Sequence, residues 1–258
     1  MTDFGTRDSY VASMKGVLLS RATSPALIDL THEIEPQNIL EASFFLQASV
    51  PYFPLGTVFL CVVDPGVGTR RKILVAKASG RFFVAPDNGL LWNALSGSNK
   101  SQIYILDESK IKLPGPISTT FHGRDLMAPA AALIASGISP AKLGRSAASM
   151  VRLDEPSPET TAAQTTGEII YFDRFGNGIT NIKKIDLPPH GTEAKVKCRS
   201  LRIGKISRTY GETGKIKKTF VALWNSMDRL EIARPCGSAK TAANLRKGDR
   251  VILHYGNK

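Results

Sequence analysis

Cysteine is scarce: Cys61, Cys198 and Cys236 are far apart and odd in number. None has a partner at zinc-ligand spacing, and three such residues do not make a disulfide framework. No apolar run approaches the roughly 18 residues that a membrane-spanning helix needs. The longest apolar-rich stretch, 126–138, is short and rich in alanine. A leader pattern of basic, apolar and small residues is also missing, so the expectation is a cytoplasmic protein. Acidic residues are few, 22 against 34 basic ones, for a net charge of +12. Much of the excess lies in Lys195, Lys197, Arg199, Arg202, Lys205, Arg208, Lys215, Lys217 and Lys218, relieved only by Glu212. Aromatics are sparse there too, Tyr210 alone, which argues against a nucleic-acid footprint. The segment reads instead as the solvated face of a small β domain, its lysines discouraging edge-to-edge pairing.

What remains is a chain of 258 residues with an ordinary 42% apolar content, enough for a substantial core in one large domain or two modest ones. The first half alternates. Helical spacing covers 8–21, with Asp8 as N-cap; 26–30 reads as a short strand; 37–50 is helical and ended by Pro51 and Pro54. Strands follow at 57–63, 73–77 and 81–85, then a helix at 90–96, a strand at 102–106 and a buried helix at 126–136. Such alternation predicts an α/β layered domain with a central sheet over residues 1–155. The prolyl, polar stretch within 156–166 reads as a linker. Beyond it, strands at 167–172, 194–199, 219–224, 229–233 and 249–254, with Gly and Pro between them, predict a smaller all-β, barrel-like domain over 167–258. Residues 1–5 read like the turn after a strand that is not there; the domain either does without it or has a trimmed start.

The run Val58 to Val63 ends in Asp64-Pro65-Gly66-Val67-Gly68-Thr69-Arg70-Arg71. A buried strand closed by a tight turn brings a carboxylate and a guanidinium to its carboxyl end, where open α/β sheets bind ligands. Glycine there permits close backbone approach. A second polar loop, Thr120-Phe121-His122-Gly123-Arg124-Asp125, offers a histidine. Asp64, Arg71 and His122 are therefore the candidate site. Cys61, inside the strand, reads as inert core; His32 and His254 read as structural.

Further motifs accompany these two: Thr2-Asp3-Phe4-Gly5 with Asp8-Ser9-Tyr10-Val11, Pro86-Asp87-Asn88-Gly89, the loop Asp173 to Asn181, and Asn225-Ser226. Taken in order across the chain, they closely resemble the S-adenosyl-L-methionine (SAM) hydroxide adenosyltransferases, the SAM hydrolases, which are related to the SAM-dependent fluorinase and chlorinase. The resemblance implies attack of water on ribose C5′, giving adenosine and L-methionine. It implies a homotrimer with sites at subunit interfaces and SAM as substrate; no cofactor is expected, and no ligand set at metal spacing points to a metal. It casts Asp64, Arg71 and His122 as catalytic. Asp3 matches the carboxylate that accepts the ribose hydroxyls. Asp8, Asp173 and Ser226 match the methionine end, and Phe175, Asn177 and the backbone around Cys236 match the adenine pocket. The halogenases carry tyrosine at the position of Asp64, threonine at Val67, and tyrosine-serine at His122-Gly123; this chain has the hydrolase residues. The alternatives are a SAM or adenosine binder without turnover, and a halogenase.

Overall fold

The computed structural model describes residues 1–97, 100–112, 115–187, 194–212 and 219–255. Lys215, Lys217 and Lys218 of the basic segment lie outside the described residues. The chain forms two compact units, Met1–Asp154 and Glu155–Lys258.

The first unit contains α1 (Tyr10–Arg21), α2 (Ile39–Ser49), β1 (Val58–Leu60), β2 (Ile73–Ala78), β3 (Arg81–Pro86), α3 (Trp92–Leu95), β4 (Gln102–Leu106), α4 (Ala128–Ala135), α5 (Pro140–Leu143) and β5 (Gly144–Ser146). The sheet runs β1-β3-β2-β4-β5, with β1 parallel to β3 and the other pairs antiparallel. Side chains alternate faces along a strand, and the two cores follow that period. Phe59, Cys61, Val63, Leu74, Ala76, Phe83 and Ala85 pack with Ala42 and Leu46 of α2. Val62, Ile73, Val75 and Val84 pack on the other side with Met14 of α1 and with the α4 alanines. The apolar run before Asp64 thus feeds both cores, as a strand buried on two faces should. Burial drives the Cys61 thiol up to about 11, in keeping with an inert core residue.

Several local expectations change. Residues 26–30 form no strand; Asp29 instead accepts from Lys15 Nζ at 2.7 Å and pairs with His32 Nε2 at 3.0 Å, tying the segment down through side chains. The N-cap of α1 is Ser9, without a side-chain cap bond, and not Asp8, which is exposed. Residues 1 and 2 do pair: Thr2 bridges Val62 in parallel, and Met1 O accepts from Val62 N at 2.9 Å. A π-helical turn, Gly123–Met127, precedes α4. Alanine supplies high helix propensity in α4, and Pro129 sits in its first turn, where no N–H is required.

The second unit is a nearly closed, barrel-like β structure. Its strands are β6 (Glu159–Thr160), β7 (Gln164–Phe172), β8 (Gly178–Lys183), β9 (Lys195–Cys198), β10 (Leu201–Ile203), β11 (Ile206–Ser207), β12 (Val221–Trp224), β13 (Arg229–Ala233) and β14 (Arg250–His254), with α6 (Ala239–Ala242) before the last. The order is β10-β9-β14-β7-β8-β13-β12-β11, with β6 on β7. The prolyl stretch is structured rather than a free linker: Pro156 O accepts from Asn181 Nδ2 at 2.8 Å, and Glu159–Thr160 pair with β7. β8 was hidden in the sequence by its Gly, Thr and Asn. Thr180 and Asn181 are buried because Thr180 donates to Leu230 O, and Asn181 accepts from Glu168 N. Arg229, 2% exposed, donates to Glu155 Oε1 at 2.8 Å. Among the described residues no helix is long and apolar enough to cross a membrane.

Candidate active site

The loop after Val63 folds back on itself in two successive turns. Val67 N donates to Asp64 O at 3.2 Å, and Thr69 N to Gly66 O at 3.1 Å. Thr69 Oγ1 also donates to Gly66 O and then accepts from Arg71 N. Gly68 makes the reversal possible. Its φ is +77°, and a Cβ there would lie 2.5 Å from Thr119 O, closer than any side chain tolerates. The turn returns Arg71 over Asp64. The Asn88 amide fixes the preceding strand end by donating to Val63 O at 2.8 Å.

Arg71 is the hub. Its Nε donates to both Asp64 oxygens, at 3.0 and 2.9 Å, and its Nη2 to Asp64 Oδ2 at 2.6 Å. The same Nη2 contacts His122 Nδ1 at 2.8 Å. The Arg71 and Asp64 side chains are 10% and 6% exposed, while Arg70 points to solvent. A guanidinium has only donors, so Nδ1 must accept and the neutral imidazole carries its proton on Nε2. Burial, and then the Arg71 charge, lower the His122 pKa; Glu108, Asp64 and Asp125 pull it the other way without offsetting them. An anion, a fixed cation and a neutral imidazole therefore face one another at the carboxyl end of the β1 strand segment. Such a set can orient water and take up a proton.

The other expected site residues divide between the units. In the first, Asp3 Oδ2 accepts from Gln37 N at 2.8 Å, and Asp8 is exposed. In the second, Asp173 organises its own loop. Its Oδ1 accepts from Phe175 N and Asn177 N, and its Oδ2 from Asn177 Nδ2 at 2.9 Å. That leaves the Phe175 ring 76% exposed and Asn177 buried. Cys236 is exposed in a tight turn at φ +57°, its turn closed by Gly237 N on Arg234 O; it does not pack in a core.

A cavity of about 420 Å³ in the second unit brings Asp173 and Ser226 together with Trp224, Tyr210 and Glu231. Phe175, Asn177 and Cys236 do not line it. Tyr210 OH donates to Glu231 Oε1 at 2.7 Å, and burial raises the pKa of both groups. Sequence reasoning missed this pair, because Glu231 sits in an apolar strand pattern and Tyr210 among lysines. A second cavity, about 390 Å³ and lined by Met14, Leu18, Val58 and Leu60, holds none of the expected catalytic residues. Among the described residues no group of three or more His, Cys, Asp or Glu could hold a metal ion.

An α/β unit that clamps an arginine between a carboxylate and an imidazole, followed by a barrel-like β unit, defines a two-domain enzyme. The chain belongs to the SAM hydroxide adenosyltransferase family: the sequence models of that family's N- and C-terminal domains match residues 1–144 and 167–252. It is 39% identical to an (R)-S-adenosyl-L-methionine hydrolase of Thermus thermophilus, covering 98% of this chain and 97% of that one. A hydrolase of the same name from Methanocaldococcus jannaschii is 34% identical, covering 98% and 94%. Proteins named fluorinases match at 27–28% identity. The crystal structure of an uncharacterized conserved protein from Thermotoga maritima superposes with a TM-score of 0.87 at 32% identity, covering 98% of each chain.

Proposed function

We propose that this protein hydrolyses S-adenosyl-L-methionine to adenosine and L-methionine, by attack of water at ribose C5′. The observation that carries this is Arg71 held between Asp64 and His122. In the step itself the C5′–S bond breaks with its electron pair going to sulfur, which leaves as the neutral thioether of methionine. A neutral leaving group needs no general acid. The new bond joins the water oxygen to C5′, and the oxygen then sheds a proton. An oxonium is a strong acid, so even an arginine-paired carboxylate suffices to take it. Asp64 fits that role, because His122 Nδ1 is engaged by Arg71 and Nε2 already bears hydrogen. Arg71 fixes both partners by charge-assisted hydrogen bonds and so holds the carboxylate in place to receive that proton.

In the same reading Asp3 holds the ribose hydroxyls. Asp8, Asp173 and Ser226 hold the methionine end, and Phe175, Asn177 and the Cys236 turn hold the adenine. A homotrimer, each site completed by a neighbouring copy, is the assembly that the family resemblance implies for these residues. In this reading the reaction consumes SAM and water alone, needs no cofactor, and takes place in the cytoplasm. A halogenase reading is disfavoured by Asp64, since an ionised carboxylate repels the halide a halogenase must bind.

Chromatography of protein incubated with SAM, with and without chloride, tests this. Adenosine and methionine in equal amounts are expected. A 5′-chlorinated nucleoside would move the chain to the halogenases, and bound but unconverted SAM would make it a binding protein. The pH profile gives a further expectation. Because His122 titrates below the usual imidazole value of about 6.5, it is neutral at pH 7. Protonation at Nδ1 would set two donors against each other and break the Arg71 contact. Activity should therefore be flat through neutrality and fall only in acid, through that lowered pKa. An acid limb centred above pH ~6.5 would contradict the assignment.

A further inference from the structure

Asp125 is 6% exposed, and burial alone would raise its pKa. Hydrogen bonds from Arg124 and Ser118 outweigh burial and hold its carboxyl below the usual carboxylate range. Arg124 Nε donates to Oδ1 at 2.6 Å, and Arg124 Nη2 donates to Oδ2 at 2.9 Å. Ser118 N, at the entry of the loop, donates to Oδ2 at 2.8 Å. The Arg124 guanidinium in turn lies 5.1 Å over the Phe121 ring, and that ring packs edge-on against Phe4 and Tyr10. One carboxylate thus ties the start of the 118–125 loop, the residue before His122, and the π-helical turn after it. Its hydrogen bonds go to none of Asp64, Arg71 or His122.

The neighbour of Ser118 is Thr119, whose carbonyl oxygen would lie only 2.5 Å from a Gly68 Cβ. Gly123 is confined less severely: a Cβ there would stand 3.1 Å from the Val62 side chain and 3.3 Å from that of Met14. Both site loops are therefore packed backbone against backbone or core, with little slack. An isolated buried carboxylate would be costly in such a place, yet here its negative charge is matched by Arg124.

We propose that Asp125 is the positioning residue of the Arg71–His122 contact. Its carboxylate closes the 118–125 loop so that Nδ1 meets Nη2, and braces Thr119 against the Gly68 turn. The inference rests on the reading of His122 as part of the reaction centre.

Asp125→Asn tests it. A displacement of about 1 Å at a reacting group costs up to ~100-fold, so kcat should fall about 10–100-fold with KM nearly unchanged. The His122 imidazole, assigned among the four histidines by its absence in His122→Asn, should titrate at higher pH, toward the ordinary imidazole range. A displaced ring escapes the burial and the Arg71 charge that lower its pKa, and these outweigh the lost Asp125 anion. Its Nδ1 nitrogen signal should lose the shift of a hydrogen-bonded acceptor. Unchanged kcat, or a lost kcat with an unchanged Nδ1 signal, would overturn the proposal. Should the variant not fold, amide exchange in the unaltered protein decides: the Ser118 N–H must be protected, and exchange at open-loop rates would overturn it. Absence of SAM turnover in the unaltered protein would instead sink the functional reading, while the Nδ1 signal would still judge the positioning role.

Discussion

Arg71→Ala is expected to abolish SAM turnover while SAM still binds. The guanidinium makes every hydrogen bond that joins Asp64 to His122, so its removal dissolves the arrangement rather than weakening one contact. Loss of a single preorganised donor in a reaction centre costs about 10²–10³ in kcat; here the base also loses its orientation, so the loss should exceed that range. Asp64→Ala should be as damaging to turnover for the complementary reason, since the proton acceptor goes and Arg71 remains. Both variants should also lose stability, since Asp64→Ala leaves a guanidinium that is 10% exposed without its anion. Arg71→Ala leaves a carboxylate that is 6% exposed without its cation, a loss of about 3–5 kcal/mol for a buried pair broken on one side. Arg71→Lys would keep the charge but not the two-pronged grip on the carboxylate, and should recover stability more than activity. Calorimetric binding of SAM alongside single-turnover kinetics reads all of this. Turnover persisting in both alanine variants would remove the assigned roles.

Gly68→Ala should be the most disruptive small substitution near the site. Two independent penalties meet there. Alanine at φ +77° costs about 1–3 kcal/mol in backbone strain, and its methyl carbon would sit 2.5 Å from Thr119 O, so one of the two loops must shift. A loss of about 2 kcal/mol corresponds to a fall of roughly 4–8 °C in the melting of a unit this size. Activity should fall further than stability, because the loop that shifts carries either Asp64 or His122. Gly16 provides the comparison: nothing lies within 4 Å of a Cβ built there, and Gly16→Ala, within α1, should be neutral or slightly stabilising. Melting curves and kcat for the two variants test this. A Gly68→Ala protein as stable and active as the parent would mean that the two loops are not packed as described.

The sequence made the strand before Asp64 legible because six apolar residues in a row can be buried only from both sides, and the structure divides them between two cores as that demands. The Asp-Pro-Gly turn and the histidine loop were legible for the same local reason: glycine and proline restrict the backbone in ways that composition records. β8 was not legible. Its Thr180 and Asn181 are polar and buried, and what makes that tolerable is a carbonyl on β13, an amide on β7 and Pro156 O, none of them near in sequence. The cap of α1 was misread because an aspartate and a serine side by side offer equal local chemistry; in the structure Ser9 holds the position and Asp8 stays exposed.

By itself, then, the sequence determined the two-domain class, the strand that carries Asp64, and which residue types face the chemistry. These are properties of hydrophobic period and turn stereochemistry, which act over a few residues. Only the tertiary structure decided that Arg71 spends its donors on both Asp64 and His122. It likewise decided that Nδ1 accepts, that Asp125 braces the loop, and that Tyr210 and Glu231 share a cavity with Asp173. Hydrogen-bond direction and desolvation depend on which groups meet across distant segments, and no pattern along a single strand or turn records that.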